Sequence, residues 1–217
     1  MKYPWIDGYL LAKRGVTKDL QADWNWIRYQ IGGRMFAAIL LGEDDQPCYI
    51  NLKLEPLEGE LMRQAYPDII PGYYSNKQHW NSVKPDGDIP DDLLKRWLDR
   101  SYHLVLKGFS QKKQREILGL TCCGADCAAC PLHGRECGGC NEACGKVFHA
   151  PAGKACPIYA CCAGKRRFAT CADCDRLPCD VWTATRDPSM TDAQFQESVA
   201  ARVSALECAR EGRGNAR

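Results

Sequence analysis

The sequence predicts an α+β protein: an amino-terminal antiparallel sheet with helices, then a small irregular metal-nucleated domain rich in cysteine, then a carboxy-terminal helix. Three observations predict it. Apolar residues alternate with polar ones in short runs before residue 55, which is strand period, and later runs recur every three or four residues, which is helix period. Thirteen of the fifteen cysteines crowd into the 58 residues from Cys122 to Cys179. Beyond them, Thr191 with Gln194 three residues on makes a capping-box pattern ahead of an apolar stripe.

Taken in order, residues 4–14 read as a short helix with Ile6, Tyr9 and Leu10 on one side and Gly15 as its stop. Ile27, Tyr29 and Ile31 alternate as a strand, Gly32-Gly33 supplies the positive φ of a hairpin turn, and Arg34 to Leu41 returns as the partner. Cys48, Ile50, Leu52 and Leu54 form a third strand, with Cys48 a buried core thiol rather than a ligand. Pro56 opens a helix through Tyr66 whose inner face is Leu57, Leu61, Met62 and Ala65. After Pro67 and Pro71, a polar and aromatic loop enters a strand at His79 to Lys84, stopped by Pro85-Asp86-Gly87. Pro90 begins a long helix with Leu93, Leu94, Trp97, Leu98, Tyr102 and Val105 facing the core. A shorter helix, Gln111 to Leu118, carries Lys112, Lys113 and Arg115 towards the boundary. The expected domains are therefore 1–118, α+β; 119–190, cysteine-rich; and 191–217, a helix with its tail. That last helix places Phe195, Val199, Val203 and Leu206 on one stripe, with Cys208 a lone thiol and Glu211 onwards disordered.

The cysteines carry the chemistry. Cys127/Cys130, Cys137/Cys140 and Cys171/Cys174 have the C-x-x-C spacing, which lets one tight turn aim two thiolates at one ion. Large apolar side chains are few between Cys122 and Arg186, whereas a structural zinc contributes apparently ~10–16 kcal/mol. Two or three zinc ions would make this stretch a folded domain. Disulfides are the alternative, but the opening MKYPWIDGYL lacks a basic segment followed by an apolar run. An iron–sulfur cluster is another, although the C-x2-C-x2-C-x3-C-P run is absent. A thioredoxin-like pair needs a strand–helix context that Cys137-Gly-Gly-Cys140 lacks, and no C-x-x-C precedes a histidine as haem attachment requires.

Composition sets the remaining bounds. The longest apolar run, Met35 to Leu41, is too short to span a bilayer, so no membrane role is expected and a cytoplasmic location is the default. Formal charge is +2, with 17 basic and 16 acidic residues up to 120 and 12 and 11 after it. Loading twelve thiolates with three divalent ions would turn the second half acidic, which argues against broad phosphate binding there. Outside the cysteines, Tyr73, Lys77, His79 and Asn81, with Tyr74 and Trp80 beside them, are the one other group of interest. Read functionally, they grip an anion or a base by charge and stacking. Read structurally, Trp80 fills the core while His79 and Asn81 tie down loops. No Ser–His–acid set, phosphate-cradling glycine loop or paired-carboxylate motif can be assigned.

Two resemblances add to this. Residues 1–118 resemble the MmcQ/YjbR family, through Gly15-Val16-Thr17, Ile31-Gly32-Gly33-Arg34-Met35-Phe36, Ile50-Asn51-Leu52-Lys53, and Ile70-Pro71-Gly72-Tyr73 leading to Asn76-Lys77-Gln78-His79-Trp80-Asn81. The resemblance implies a frataxin-like or double-wing arrangement, and a DNA-binding label that rests on fold alone. Arg34 stands where that family usually has lysine. Residues 122–182 look like a cysteine-rich domain of unknown function, on a pattern of Cys123, Cys127, Cys130, Cys137, Cys140, Cys156, Cys161, Cys171, Cys174 and Cys179. Those ten are the expected metal ligands, with Cys144 and Cys162 as additions, Cys122 as an extra, and His133 and His149 as substitutes. The expectation is a non-enzymatic zinc-binding protein, monomeric or weakly oligomeric, whose first domain binds nucleic acid or another protein. An iron–sulfur or thiol-redox enzyme or sensor is the alternative.

Overall fold

Alternation at Trp26–Ile31 and Arg34–Leu41, joined by a two-residue turn, builds the central hairpin of the protein. Gly32 and Gly33 sit at φ 52° and 78°, the left-handed conformation that a tight hairpin needs at both central positions. The computed structural model describes residues 1–127 and 129–211, in two compact units: Met1–Gly108, and the residues from Phe109 on.

The first unit is a six-stranded, wholly antiparallel sheet. Its strands are β1 (Val16–Gln21), β2 (Trp26–Ile31), β3 (Arg34–Leu41), β4 (Pro47–Lys53), β5 (Ile69–Pro71) and β6 (Trp80–Val83), in the order β1-β2-β3-β4-β6-β5. Three helices accompany them: α1 (Ile6–Leu11), α2 (Pro56–Ala65) and α3 (Asp91–Lys107). α3 packs across β2, β3 and β4, α1 against β1 and α2 against β5. Leu94, Trp97, Leu98, Tyr102 and Val105 of α3 are buried, as its period predicts, over a core that includes Tyr29, Phe36, Ile50 and Leu52. The hydroxyl of Ser101, also on this face, donates to the carbonyl of Phe36.

Several expectations need correction here. The helix expected over 4–14 is confined to Ile6–Leu11, and the strand expected from His79 begins at Trp80. β1 and β5 are strands that the pattern does not reveal. β1 (Val-Thr-Lys-Asp-Leu-Gln) is an edge strand with no buried residue, and β5 has three residues ending in proline. In α2, Leu57 and Leu61 are 69% and 57% exposed, while Gly59 and Met62 are buried. The cause is close packing. A Cβ on Gly59 would lie 2.9 Å from the Asn81 amide, so the bare face at Gly59 sits against the sheet and turns the leucines outward. Cys48 is half-buried against the small cluster of Trp26, Ala38 and Leu40, rather than fully buried.

The second unit begins earlier than residue 119. α4 (Gln111–Leu118) belongs to it, because Arg115 is 2% exposed and anchored inside it. Three short segments follow: α5 (Pro157–Tyr159), a π-helical turn at Ala160–Lys165, and α6 (Asp180–Thr183). α7 (Asp192–Arg210) is capped as the sequence indicates: the Thr191 hydroxyl accepts from Gln194 N–H and the Gln194 amide oxygen from Thr191 N–H. α7 is part of this unit rather than a separate segment. Leu206 is buried in one cluster with Trp182, Ile158, Val147 and four cysteines, with Val199 and Val203 packed at its margin. Among the described residues no helix is long and apolar enough to cross a membrane. The tail expected to be disordered falls, after Glu211, outside the described residues.

Candidate metal centre

Short backbone bonds in the second unit bend the chain so that its cysteines gather. Cys122 and Cys123 occupy the middle of a turn closed by Gly124 N–H to Thr121 C=O (3.1 Å). Cys130 N–H bonds to Cys127 C=O (3.2 Å), and Cys137 N–H to Leu132 C=O (3.0 Å), forming the first two knuckles. Gly145 N–H reaches Cys140 C=O (2.9 Å) and Cys156 N–H reaches Gly145 C=O (2.8 Å), which brings Cys156 to the Cys140 turn. Farther on, Cys171 N–H bonds to Cys122 C=O (2.8 Å), joining chain segments 49 residues apart. Thr170 and Asp173 cap the 3-10 turn at Cys171–Asp173 reciprocally.

Two sulfur-rich neighbourhoods result. In the first, Cys122, Cys162 and Cys171 lie in the apolar core around Trp182. The Cys162 thiol is in hydrogen-bonding contact with the sulfurs of Cys122 and Cys171, and the Trp182 indole N–H donates to Cys171. The Cys162 contact, outweighing burial, holds Cys122 and Cys171 below the usual thiol range, and those two sulfurs hold Cys162 far above it. Cys161, Cys162, Cys171, Cys174 and Cys179 line an adjoining cavity of about 30 Å³, room for one water or one ion. Arg166 and Arg176 stand on its wall, and the Arg202 guanidinium lies 4.6 Å from the Trp182 ring.

The second neighbourhood centres on Cys140. Burial pushes its thiol up, and the sulfurs of Cys123, Cys156 and Cys127 push it further. The Cys140 N–H donates to the Cys127 sulfur, and Cys130 and Cys137 lie close to Cys127. The Thr121 hydroxyl meets the Cys123 sulfur at 3.4 Å. Cys144 stands apart, exposed, with its sulfur against the Tyr159 hydroxyl. His149 packs its ring edge to face with Phe148, and His133 pairs with Cys137 through an isolated bridge. All fifteen cysteines are free thiols. As they stand, no three His, Cys, Asp or Glu side chains among the described residues are disposed to hold an ion. The donor set itself is soft, sulfur-rich and partly served by N–H and indole donors, which suits zinc in chemical type.

Arg115 supports both neighbourhoods. Its Nε donates to Asn141 Oδ1 (2.7 Å), Nη1 to Ala169 C=O (3.0 Å) and Nη2 to the Tyr159 hydroxyl (3.4 Å). Asn141 in turn donates to Leu120 C=O (3.1 Å). Neither Arg115 nor Cys122 stands out from the spacing pattern as a site residue. Arg115 reads as one more charge on a basic helix, and Cys122 lies one position outside the C-x3-C-x2-C run.

In the first unit the four expected ligand-binding residues separate. Tyr73 and Lys77 line an open surface depression of about 600 Å³ formed by residues 70–77. Tyr73 stacks on Tyr74 (4.3 Å) and on Tyr49 (5.1 Å), an aromatic neighbour that sequence distance conceals. Its backbone is pinned, its N–H donating to Ser82 Oγ (2.8 Å) and its carbonyl accepting from Asn51 Nδ2 (3.4 Å). Tyr74 is 80% exposed. Asn81 is fully buried, accepting from Arg63 and donating to His79 C=O (3.2 Å), so its amide is committed to α2 and to the chain before it. His79 is half-buried, and its carbonyl also accepts from Leu54 N–H (2.9 Å).

Comparison with known proteins places this first unit. The family described as YjbR matches residues 11–104. The uncharacterised protein YbdF of Escherichia coli O157:H7 is 38% identical over 89 residues, covering 41% of this chain and 71% of its own. The uncharacterised protein YjbR of Escherichia coli K12 is 29% identical over 112 residues, covering 52% and 93%. A crystal structure of a Deinococcus radiodurans protein with a DUF419 domain shares 32% identity over 52% of this chain and 84% of that one, with a TM-score of 0.47. The matched stretch takes in all six strands of the antiparallel sheet and most of α3, and on that relationship the chain belongs to the YjbR family.

Proposed function

We propose that the second unit is a zinc module held by thiolates, and that the first unit is a non-enzymatic platform for nucleic acid or a protein partner. One observation carries the metal half: twelve cysteines, all free, converge from four chain segments on two sulfur-rich neighbourhoods inside one small unit. Twelve buried or half-buried thiols are far more than packing needs, and thiolates gathered at that density repel one another unless a cation lies between them. Bound zinc would take up thiolates as the thiols release their protons, drawing each neighbourhood into a tetrahedral set. The exposed Tyr73–Tyr74 pair beside Lys77 supports the platform half, since stacking faces next to a cation suit unpaired bases.

Elemental analysis of the full chain purified without air tests the metal. Two or three zinc ions per chain and no visible absorption are expected, whereas a brown protein carrying iron and sulfide would replace this reading with a cluster. Titration of short DNA and RNA at two salt concentrations tests the platform, and binding that is absent at both removes its nucleic-acid half. A thiol-redox sensor is the second reading. The contact of Cys162 with two other sulfurs favours it, because an added peroxide would take two electrons and two protons from a pair and leave a disulfide.

A further inference from the structure

We propose that Cys122, Cys162 and Cys171 hold one metal ion as a set, while the adjacent Cys123 serves a different ion with Cys127, Cys140 and Cys156. This rests on the zinc-module reading and adds which thiols share an ion. The turn at Thr121–Gly124 is the branch point. Its two central residues part company, Cys122 into the core at 2% exposure and Cys123, half-buried, towards the Thr121 hydroxyl.

Three independent features converge on the first set. The bond from Cys171 N–H to Cys122 C=O holds those two segments side by side. The π-helical turn at Ala160–Lys165, closed by Arg166 N–H to Cys161 C=O (2.9 Å), brings two consecutive cysteines, Cys161 and Cys162, to one cavity wall. Such widened turns occur mostly where side chains must be re-aimed at a site. The cavity itself is the third. A core filled only for packing leaves few voids of this size, and this void is walled by five thiols. Its far side offers Cys174 and Cys179, either of which completes a four-thiolate shell.

Charge fits the assignment. Four thiolates around a divalent zinc leave two net negative charges in a poorly solvated place. Arg166 and Arg176 on the cavity wall and Arg202 over Trp182 supply compensating positive charge. Binding releases one proton from each thiol that is protonated beforehand, and changes no oxidation state.

The test uses the full, zinc-loaded chain in the absence of air. Chelator is added stepwise, and the thiols freed at each step are alkylated and mapped by mass spectrometry. Cys122, Cys162 and Cys171 are expected to gain label together, in a step separate from Cys123, Cys127, Cys140 and Cys156. Labelling of Cys122 together with Cys123, or before any zinc leaves, overturns the assignment and leaves the zinc module standing. A wild-type chain with no zinc overturns both. Variants give a second readout: Cys122→Ser, Cys171→Ser and their double variant should each lose the same single equivalent of zinc, and Cys122→Ser with Cys140→Ser should lose two. Retention of the full zinc content by Cys122→Ser overturns the proposal.

Discussion

Replacing Arg115 by methionine keeps most of the side-chain volume and removes the guanidinium, and its consequence can be worked from three contacts. The bonds to Asn141 Oδ1 at 2.7 Å and to Ala169 C=O at 3.0 Å are short and buried, and charge-assisted bonds of this kind contribute about 1.5–3 kcal/mol each. The contact to the Tyr159 hydroxyl, at 3.4 Å, adds little. Removing the donor also leaves Asn141 Oδ1 and the Ala169 carbonyl without this partner, a penalty already contained in mutational values of this size. Against this stands the cost of desolvating the cation, which methionine avoids. The expected net loss is about 3–5 kcal/mol, confined to the second unit. Hydrogen exchange read by mass spectrometry separates the units. Amides after residue 109 should lose protection in Arg115→Met, while those of β2, β3 and α3 keep theirs. Arg115→Lys should fall between, retaining charge without the planar fork. A loss below about 1 kcal/mol, or equal loss in both units, would refute the argument that this side chain is what assigns α4 to the second unit.

Further outcomes follow from the same structure. Burial pushes the Asp7 carboxyl up, but the Lys18 ion pair (2.6 Å) and the Tyr29 hydroxyl (2.6 Å) more than offset it, leaving Asp7 below the usual carboxylate value. A lowered folded value means stability that is present above about pH 4 and lost as pH falls through it, so the urea-measured margin of wild type over Asp7→Asn should shrink below about pH 4. A margin unchanged down to pH 2 would count against it. In α2, Met62→Ala should cost about 2–4 kcal/mol by denaturant titration and Leu57→Gln less than about 0.5, the reverse of what an inward Leu57 would give. Gly124 and Gly134 share a φ near +77°, at +76° and +77°, but only at Gly124 would a Cβ meet the α7 backbone, 2.5 Å from the Arg202 carbonyl. Gly134→Ala should therefore cost about 1 kcal/mol of backbone strain and Gly124→Ala several times that, with α7 losing exchange protection in the second only. Equal losses would mean that α7 does not rest on this turn.

What the chain discloses about its fold depends on how much of each element's burial is periodic. α3 buries one stripe along 17 residues, and every one of its expected core residues except half-buried Leu93 is inside. The hairpin at Gly32-Gly33 is equally legible, because its turn chemistry and its alternation agree. β1 is not, since as an edge strand it buries nothing and its residues need satisfy only a backbone ladder with β2. The error in α2 has a different origin. Its hydrophobic stripe is real, yet a glycine packing against Asn81 sets which side approaches the sheet. Smallness decided the orientation where hydrophobicity was expected to.

The site divides along the same line between local and non-local information. Spacing identifies the knuckles, because both members of a C-x-x-C pair share one turn. Partnership between knuckles is set by contacts such as Cys171 N–H to Cys122 C=O, across 49 residues, and no spacing rule reaches that far. Tyr49 is hidden behind Tyr73 for the same reason. Cys122 is a partial exception. The central residues of a tight turn present their side chains in different directions, so two consecutive cysteines there are poorly placed to chelate one ion and well placed to serve two. The dipeptide Cys122-Cys123, and after it Cys161-Cys162, therefore carries information that the C-x-x-C pattern discards: it marks where the chain passes from one thiol neighbourhood to the next.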